Sequence, residues 1–243
     1  IAQLSANGAQ QARLKAKAQN EEKVRRALER FHAPDVVDRV VKELGKGNLA
    51  AKVEEKTVTV LVADIAGFSA LSAKLGVKVV DLLNEFYRRM SRVIFSFGGT
   101  VDKFIGDSVQ AVFGAPYDKP DDATRAVRAA LAMRQEFIEL MGSRPANEQC
   151  HIRIAAATGK ALAGIVGSDA RMEYATLGEP VSIASKLESS AQPGQVLLTR
   201  ATVEAAGRKF QTVALGERVL KGQKVFVYEL LDENQDWTTS PGV

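Results

Sequence analysis

The chain has 243 residues, enough for one sizeable folded domain with additional segments. Hydrophobic residues make up 46% of it and charged residues 26%, as in ordinary globular proteins. The formal net charge is +4, but lysines and arginines are spread among acids and aromatic residues are only 6%, so we expect no nucleic-acid partner.

Residues 1–50 differ in composition from the rest of the chain. The stretch Gln10–Phe31 is rich in Ala, Lys, Arg, Glu and Gln and lacks Gly and Pro, which predicts a helix. Its apolar stripe is too narrow to form a core. We therefore interpret residues 1–50 as a helical segment that is either a solvated linker or a dimerisation element.

Residues 51–231 have the pattern of a folded domain, followed by a polar tail over residues 232–243. A first strand from Thr57 is apolar on both faces, which predicts a central position in a sheet. Apolar spacing and glycine positions then predict the following elements in order: a helix over 79–97, a strand hairpin over 100–113, a helix over 120–141, strands at 151–158 and 161–167, a helix over 179–191, a strand at 195–199, a short helix at 201–207, and strands at 211–220 and 224–230. The order βαββαβ with C-terminal additions predicts an α+β sandwich with helices on an antiparallel sheet.

Cysteine and histidine are scarce, which restricts the chemistry of any site. Cys150 is the only cysteine, so there is no internal disulfide, and a reducing compartment such as the cytoplasm is expected. His32 and His151 are the only histidines, too few for a structural zinc site. No apolar run approaches the ~20 residues that span a bilayer. Because the chain begins Ile-Ala-Gln, we expect it to be part of a longer protein, and membrane attachment of that protein stays open.

The strongest local signal is an aspartate at the end of the first strand. Asp64 is followed by Ile65 and by a small turn whose residues are Ala66, Gly67, Phe68 and Ser69. A carboxylate there could hold Mg²⁺, while the turn amides and the following helix N-terminus face phosphate oxygens. The alternative is that Asp64 only caps the helix.

A second aspartate lies at the tip of the predicted hairpin. Gly106 permits a tight turn and leaves Asp107 at its tip, although Gly-Asp is also common turn chemistry. If the hairpin lies beside the first strand, Asp64 and Asp107 could share two cations about 4 Å apart, as in two-metal phosphoryl chemistry.

Three segments resemble motifs of the class III adenylyl and guanylyl cyclases. They are Val62-Ala63-Asp64-Ile65-Ala66-Gly67-Phe68-Ser69, the run from Lys103 through Gly106-Asp107 to Ala111-Val112-Phe113-Gly114, and Tyr174 to Glu188. They occur in the family's order across roughly residues 57–230. The resemblance implies a ferredoxin-like domain that works as a head-to-tail dimer with shared active sites. It also implies an upstream sensor domain in the full-length protein.

The same resemblance implies a nucleoside triphosphate substrate and two Mg²⁺ or Mn²⁺ ions per site. The metal residues would be Asp64, Ile65 and Asp107 of one protomer. From the other protomer, Lys103 would read the base and Lys221 would reach phosphate. The reaction would be attack of the ribose 3′-oxygen on the α-phosphorus with loss of pyrophosphate, most simply ATP to cyclic AMP.

The third motif departs from the family at three positions. Ala175 stands where the family has Asp or Thr for the purine, Ser182 where it has Asn, and Lys186 where it has Arg for the charged transition state. Ser182 and Lys186 still share a helix face. These differences predict a slow or differently selective cyclase, or a chain that supplies only the metal-binding half of an active site shared with a complementary partner. The rival hypothesis is a catalytically degenerate nucleotide-binding or dimerising module.

Two other enzyme classes fit less well. The Gly-Gly-Asp/Glu-Glu-Phe turn of diguanylate-forming domains is missing, and no Gly-x4-Gly-Lys-Ser/Thr loop is present.

Overall fold

The computed structural model describes residues 53–168 and 171–234 of the chain. The helical predictions within residues 1–50 and most of the predicted tail lie outside these residues. The described strands are β1 Glu54–Ala66, β2 Thr100–Ile105, β3 Ser108–Phe113, β4 His151–Ser168, β5 Arg171–Leu177, β6 Val196–Thr199, β7 Phe210–Leu220 and β8 Gln223–Glu233. The helices are α1 Phe68–Leu75, α2 Val79–Ser96, α3 Asp122–Gly142, α4 Glu179–Ser189 and α5 Arg200–Ala206. Short 3₁₀ turns follow α1 and α3, at Gly76–Lys78 and Ala146–Glu148.

The strands form one sheet in the order β2-β3-β1-β4-β6-β8-β7, and β5 pairs with the far half of β4. Neighbouring strands run antiparallel except β4 and β6, which are parallel. The predicted α+β class is confirmed. The prediction of an antiparallel sheet is incomplete, because the long connection through α4 returns the chain alongside β4 in the same direction.

The sheet has an apolar core on each face, as the first strand predicted. Leu61, Ala63 and Ile65 of β1 pack in one core with α2 and α3. Val58, Val60 and Val62 of the same strand pack in the other with α4. Because successive side chains of a strand alternate between faces, a strand covered on both sides must be apolar throughout.

The region from 151 to 177 differs from the prediction. Residues 151–167 were predicted as two strands, but β4 is continuous over 18 residues. It pairs without interruption with β1, from Ala66 opposite His151 to Glu54 opposite Ala163. That long ladder keeps Gly159 in extended backbone. The strand β5 was missed because Arg171 and Glu173 weaken its apolar pattern.

The long helix α2 lies where the spacing predicted, but its inward face is slightly rotated. The apolar spacing of Val79, Leu83, Phe86, Met90, Val93 and Phe97 predicts that these residues face inward. Val79, Phe86 and Met90 are buried, together with Leu82 and Ile94. Leu83, Val93 and Phe97 are only partly buried against the core. Within residues 53–168 and 171–234, no helix has the length and hydrophobicity of a transmembrane span.

Candidate active site

Asp64 lies near the end of β1 and is held by both neighbouring strands. It stands opposite Ser108 of β3 and Arg153 of β4. Ser108 Oγ donates to Asp64 Oδ1 at 2.5 Å, and Arg153 Nη2 donates to Oδ2. The residue is 8% exposed. Each carboxylate oxygen therefore has a partner, which fixes the direction of the side chain.

The turn after Asp64 leads into an uncapped helix. Gly67 adopts a left-handed conformation with φ of 76° and is itself the N-cap of α1, with no side-chain cap. Its carbonyl accepts from the amides of Ala70 and Leu71. The alternative that Asp64 caps this helix is therefore wrong. The segment Ala66–Ser69 presents a helix N-terminus, a favourable setting for an anion.

Asp107 occupies the β2–β3 turn and faces Asp64. Gly106 has φ of 59°, the left-handed backbone that the tight turn requires, and its carbonyl accepts from the Tyr87 hydroxyl of α2. Burial, and then the charge of Asp64, raise the pKa of Asp107. The charge of Asp64 acts on Asp107 because the two carboxylates are neighbours at this edge of the sheet. The structure thus brings together the two aspartates on which the metal prediction depends.

This arrangement suits a hard divalent cation. Carboxylate oxygens are the preferred ligands of Mg²⁺, which is commonly held by one or two carboxylates while water and substrate phosphates complete its shell. No group of three or more His, Cys, Asp or Glu side chains with metal-binding geometry exists among the described residues. Ile65 is buried in β1 and has no ligating side chain, so only its carbonyl could contribute. The two mutually repelling carboxylates are the feature that fits a cation.

Two further charged residues at this site were missed by the sequence analysis. Arg153 Nε lies 3.0 Å from Glu188 Oε1 of α4, and Glu188 is 4% exposed. Burial and the nearby charge of Asp64 raise the pKa of Glu188 to about 7, although Arg153 opposes the shift. An arginine between Ile152 and Ile154, both buried, was the available signal, since a charge within an apolar strand needs a partner.

Asp102 contacts both Lys103 in β2 and the backbone of Thr176, the residue after Ala175 in β5. A bulge in β2 between Val101 and Lys103 turns Asp102 inward, where its side chain is buried. Asp102 Oδ2 is 3.4 Å from Lys103 Nζ, and Asp102 accepts from the backbone of Thr176 in β5. Ala175 itself is 2% exposed in β5. Ala175 is therefore buried in the described part of the chain and is not a surface residue.

Ser182, Lys186 and Lys221 form a third group. Ser182 and Lys186 lie one turn apart on α4, with Ser182 half-buried and Lys186 exposed. The β7–β8 turn places Lys221, with φ of 47°, so that its Nζ donates to Ser182 Oγ at 3.4 Å. Within the described residues, no hydrogen bond or ion pair joins this group or Lys103 to Asp64 or Asp107. The predicted site residues thus separate into a carboxylate group and lysine-bearing groups.

Comparison with known proteins identifies the family. Residues 50–232 match the family model described as the adenylate and guanylate cyclase catalytic domain. The chain belongs to this family. The cyclase domain is 33% identical over 191 residues to the terminal-differentiation specific adenylate cyclase of Dictyostelium discoideum, covering 74% of this chain and 9% of the relative. The chain spans less than a third of the length of the curated relatives it matches.

Solved cyclase structures share the fold over most of the domain. The adenylyl cyclase CyaB from P. aeruginosa superimposes with a TM-score of 0.72 at 32% identity, covering 76% of this chain and 98% of that one. The guanylate cyclase domain of RhGC from Catenaria anguillulae, solved in complex with GTP, gives 0.67 at 28% identity, covering 74% and 100%. The resemblance in the three motifs is therefore confirmed at the level of family and fold.

Proposed function

We propose that the cyclase domain converts a nucleoside triphosphate, ATP in the first instance, into its 3′,5′-cyclic monophosphate and pyrophosphate. The observation that carries this proposal is the pair of carboxylates Asp64 and Asp107, facing each other beside Arg153. ATP is the proposed substrate because CyaB and the Dictyostelium relative are adenylyl cyclases, whereas the RhGC domain was solved with GTP.

In this proposal Asp64, Asp107 and the carbonyl of Ile65 hold two Mg²⁺ or Mn²⁺ ions. The ions would lower the pKa of the ribose 3′-hydroxyl and neutralise charge on the leaving pyrophosphate. The N-terminus of α1, with residues Ala66 to Ser69, binds phosphate oxygens through its backbone amides. Arg153 stands beside both carboxylates, and its planar guanidinium suits a phosphate that arrives with the cations.

The bond changes are a single displacement at phosphorus. The 3′-oxygen bonds to the α-phosphorus as the bond from that phosphorus to the bridging oxygen breaks, and pyrophosphate leaves with the electron pair. The 3′-hydroxyl proton passes to solvent. Negative charge grows on the α-phosphate oxygens, and donors aimed at that position increase the rate.

Those donors would come from a second cyclase domain. We propose a head-to-tail homodimer, or pairing with a complementary cyclase domain, in which Lys103 meets the base. In the same site Lys221 would meet phosphate, and Ser182 and Lys186 the transition state. The separation of these residues from Asp64 and Asp107 within one protomer supports this arrangement. We further propose that the domain is part of a longer signalling protein with an upstream sensor, because it spans a small part of its curated relatives.

A second candidate function is metal-dependent nucleotide binding without turnover. It is favoured by Ala175, a buried residue with no polar side-chain atom, and by the short Ser182 hydroxyl, which is already engaged by Lys221. Both candidates retain the carboxylate pair and differ only in the contacts that act on the transition state.

One assay tests the proposed function and separates the candidates. Purified protein is incubated with each of the four ribonucleoside triphosphates and Mn²⁺, and cyclic products and pyrophosphate are measured together. Stoichiometric cyclic nucleotide and pyrophosphate establish the cyclase. Mn²⁺-dependent binding without product supports the second candidate, and no Mn²⁺-dependent binding of any triphosphate contradicts both.

A further inference from the structure

A chain of polar side chains crosses the sheet from the β2–β3 hairpin side to the end of α4. Its members are Ser108, Asp64, Arg153 and Glu188, on β3, β1, β4 and α4 in turn. It links the carboxylate pair of the proposed metal site to the helix that carries Ser182 and Lys186. Glu188 is the member whose place the proposed reaction does not explain.

Arg153 lies between two carboxylates that hold it unequally. Its Nη2 donates a hydrogen bond to Asp64, which also stands directly opposite it on the neighbouring strand. Its Nε lies 3.0 Å from Glu188 Oε1, but the N–H group is not directed well enough at that oxygen to form a hydrogen bond. Neither atom has another hydrogen-bond partner among the described residues. The guanidinium is therefore bound to Asp64 and attracted to Glu188 without being locked there.

The charged Glu188 carboxylate destabilises the folded protein at its present position. It is a carboxylate that is 4% exposed, and burial of a charge costs free energy unless the charge is paired and hydrogen-bonded. It is also the penultimate residue of α4, where the helix dipole favours cations over anions. Ser189 Oγ, at 3.4 Å from Oε2, is its only hydrogen-bond donor among the described residues. An arrangement that costs stability in three ways indicates a role other than folding.

Arg153 and a divalent cation compete for Asp64. A guanidinium bound to a carboxylate oxygen opposes the approach of a second positive charge, and the opposition is strong where water is partly excluded. A second anion beside Arg153 reduces this opposition, because the guanidinium can move to it when the cation arrives. Glu188 is the carboxylate within reach of Arg153 on the side away from Asp64.

We infer that Glu188 is a positioning residue that draws the Arg153 guanidinium off Asp64, so that Asp64 can take a cation and Arg153 can face the triphosphate. This inference rests on the proposed function and adds a residue that acts through Arg153. Removal of the Glu188 charge leaves Arg153 on Asp64 and weakens cation binding.

The test is a double-mutant cycle on binding rather than on turnover. Affinity for Mn²⁺ alone, and for inorganic triphosphate with Mn²⁺, is measured at pH 8 in wild type, E188Q, R153M and the double variant. E188Q is expected to weaken Mn²⁺ about tenfold in the wild-type background and to have little effect in R153M, where no guanidinium competes. Glu179 is an exposed residue of the same helix, and E179Q is the matched control.

Folding is followed separately by the metal-free melting temperature. E188Q is expected to raise it, since the substitution removes a buried charge, whereas a purely structural role for Glu188 would lower it. E188D keeps the negative charge and is expected to retain most of the Mn²⁺ affinity. This variant still tests the inference if E188Q does not fold. Equal weakening by E188Q in both backgrounds, or no weakening, overturns the inference. Failure of the wild type to bind Mn²⁺ and triphosphate overturns the proposed function instead.

Discussion

Lys221 Nζ lies 3.4 Å from Ser182 Oγ, so the β7–β8 turn places a cation against the face of α4 that the cyclase motif assigns to the transition state. Ser182 and Lys186 remain on that face, one turn apart. The backbone for these contacts is in place, and the longer side chains typical of the family are what is missing.

The double variant S182N/K186R is therefore expected to raise kcat by about 10²-fold, with a much smaller change in triphosphate affinity. Asparagine adds an amide N–H donor, and arginine adds a planar guanidinium with several N–H donors. Both are expected to stabilise the negative charge that develops on the α-phosphate. Steady-state kinetics and equilibrium binding on the same preparation measure the two effects. S185N, at an exposed position of α4, is the control. A double variant that dimerises, binds triphosphate and makes no cyclic product would favour the non-catalytic candidate.

A threonine at position 175 is expected to change the choice of base rather than the rate. Ala175 stands opposite Gly164 in the β4–β5 pair, so a larger β-branched side chain has no bulky neighbour across the strand. In the S182N/K186R background, A175T is expected to shift the ratio of kcat/KM for ATP over GTP, because the family resemblance implies that a polar side chain at this position bonds to the purine edge. A175V has a similar shape without the hydroxyl. If A175V shifts the ratio equally, shape rather than hydrogen bonding is responsible.

Substitution of either aspartate of the proposed metal site is expected to abolish Mn²⁺-dependent triphosphate binding but to affect stability differently. Burial and the charge of Asp64 both raise the pKa of Asp107, so the ionised carboxylate is unfavourable there. D107N removes this charge, and metal-free stability is therefore expected to rise. D64N removes the charge that Arg153 pairs with and leaves only a neutral amide oxygen to accept its hydrogen bond. We expect this to cost about 1 kcal/mol, a modest figure because Arg153 is partly exposed. Calorimetric titration and thermal melting measure both. D118N is the control, because Asp118 is exposed and Lys56 is its only ion-pair partner among the described residues. Unchanged binding in both aspartate variants would exclude the two-metal assignment.

Metal-free stability is expected to fall as pH rises from about 5 to 8. Burial and the charges of Asp64 and Asp107 raise the pKa of Glu188 to about 7 against Arg153, so the folded protein holds a proton there that the unfolded chain releases near 4.5. Stability from this group is complete below about pH 4.5 and is lost as pH rises through 7. Melting temperatures over this range check the sign, and E188Q is expected to flatten the slope. If the stability of E188Q falls equally steeply with pH, another titrating group is responsible for the pH dependence.

Self-association is expected to depend on the N-terminal segment. The predicted helix over Gln10–Phe31 has an apolar stripe too narrow to be buried by itself, so pairing with a second copy would cover it. Sedimentation over a range of concentrations is expected to give a dimer that removal of residues 1–32 weakens. Removal of residues 235–243 is the control truncation. A strict monomer at high concentration, with and without triphosphate and Mn²⁺, would indicate a different partner chain.

The sequence by itself determined most of the local structure and the two aspartates. Periodic apolar positions report burial directly, which is why the central strand and both long helices lie where they were predicted. Asp64 and Asp107 stand out because each follows a strand and adjoins a glycine-containing turn. The local sequence pattern did not predict that β4 is continuous, because Gly159 is kept in extended backbone by the long ladder with β1.

Only the tertiary structure decided which charges meet. Arg153 reaches Asp64 because the β1–β4 register sets them opposite each other, and Glu188 reaches Arg153 because α4 packs on that face of the sheet. These contacts join residues 89 and 35 positions apart in the chain, since 153 − 64 = 89 and 188 − 153 = 35. Local propensity carries no information on strand register or helix docking, which depend on how the whole core packs. The aspartates were therefore predictable one by one, whereas the contacts of Asp64 with Arg153 and of Arg153 with Glu188 emerged only from the packed sheet.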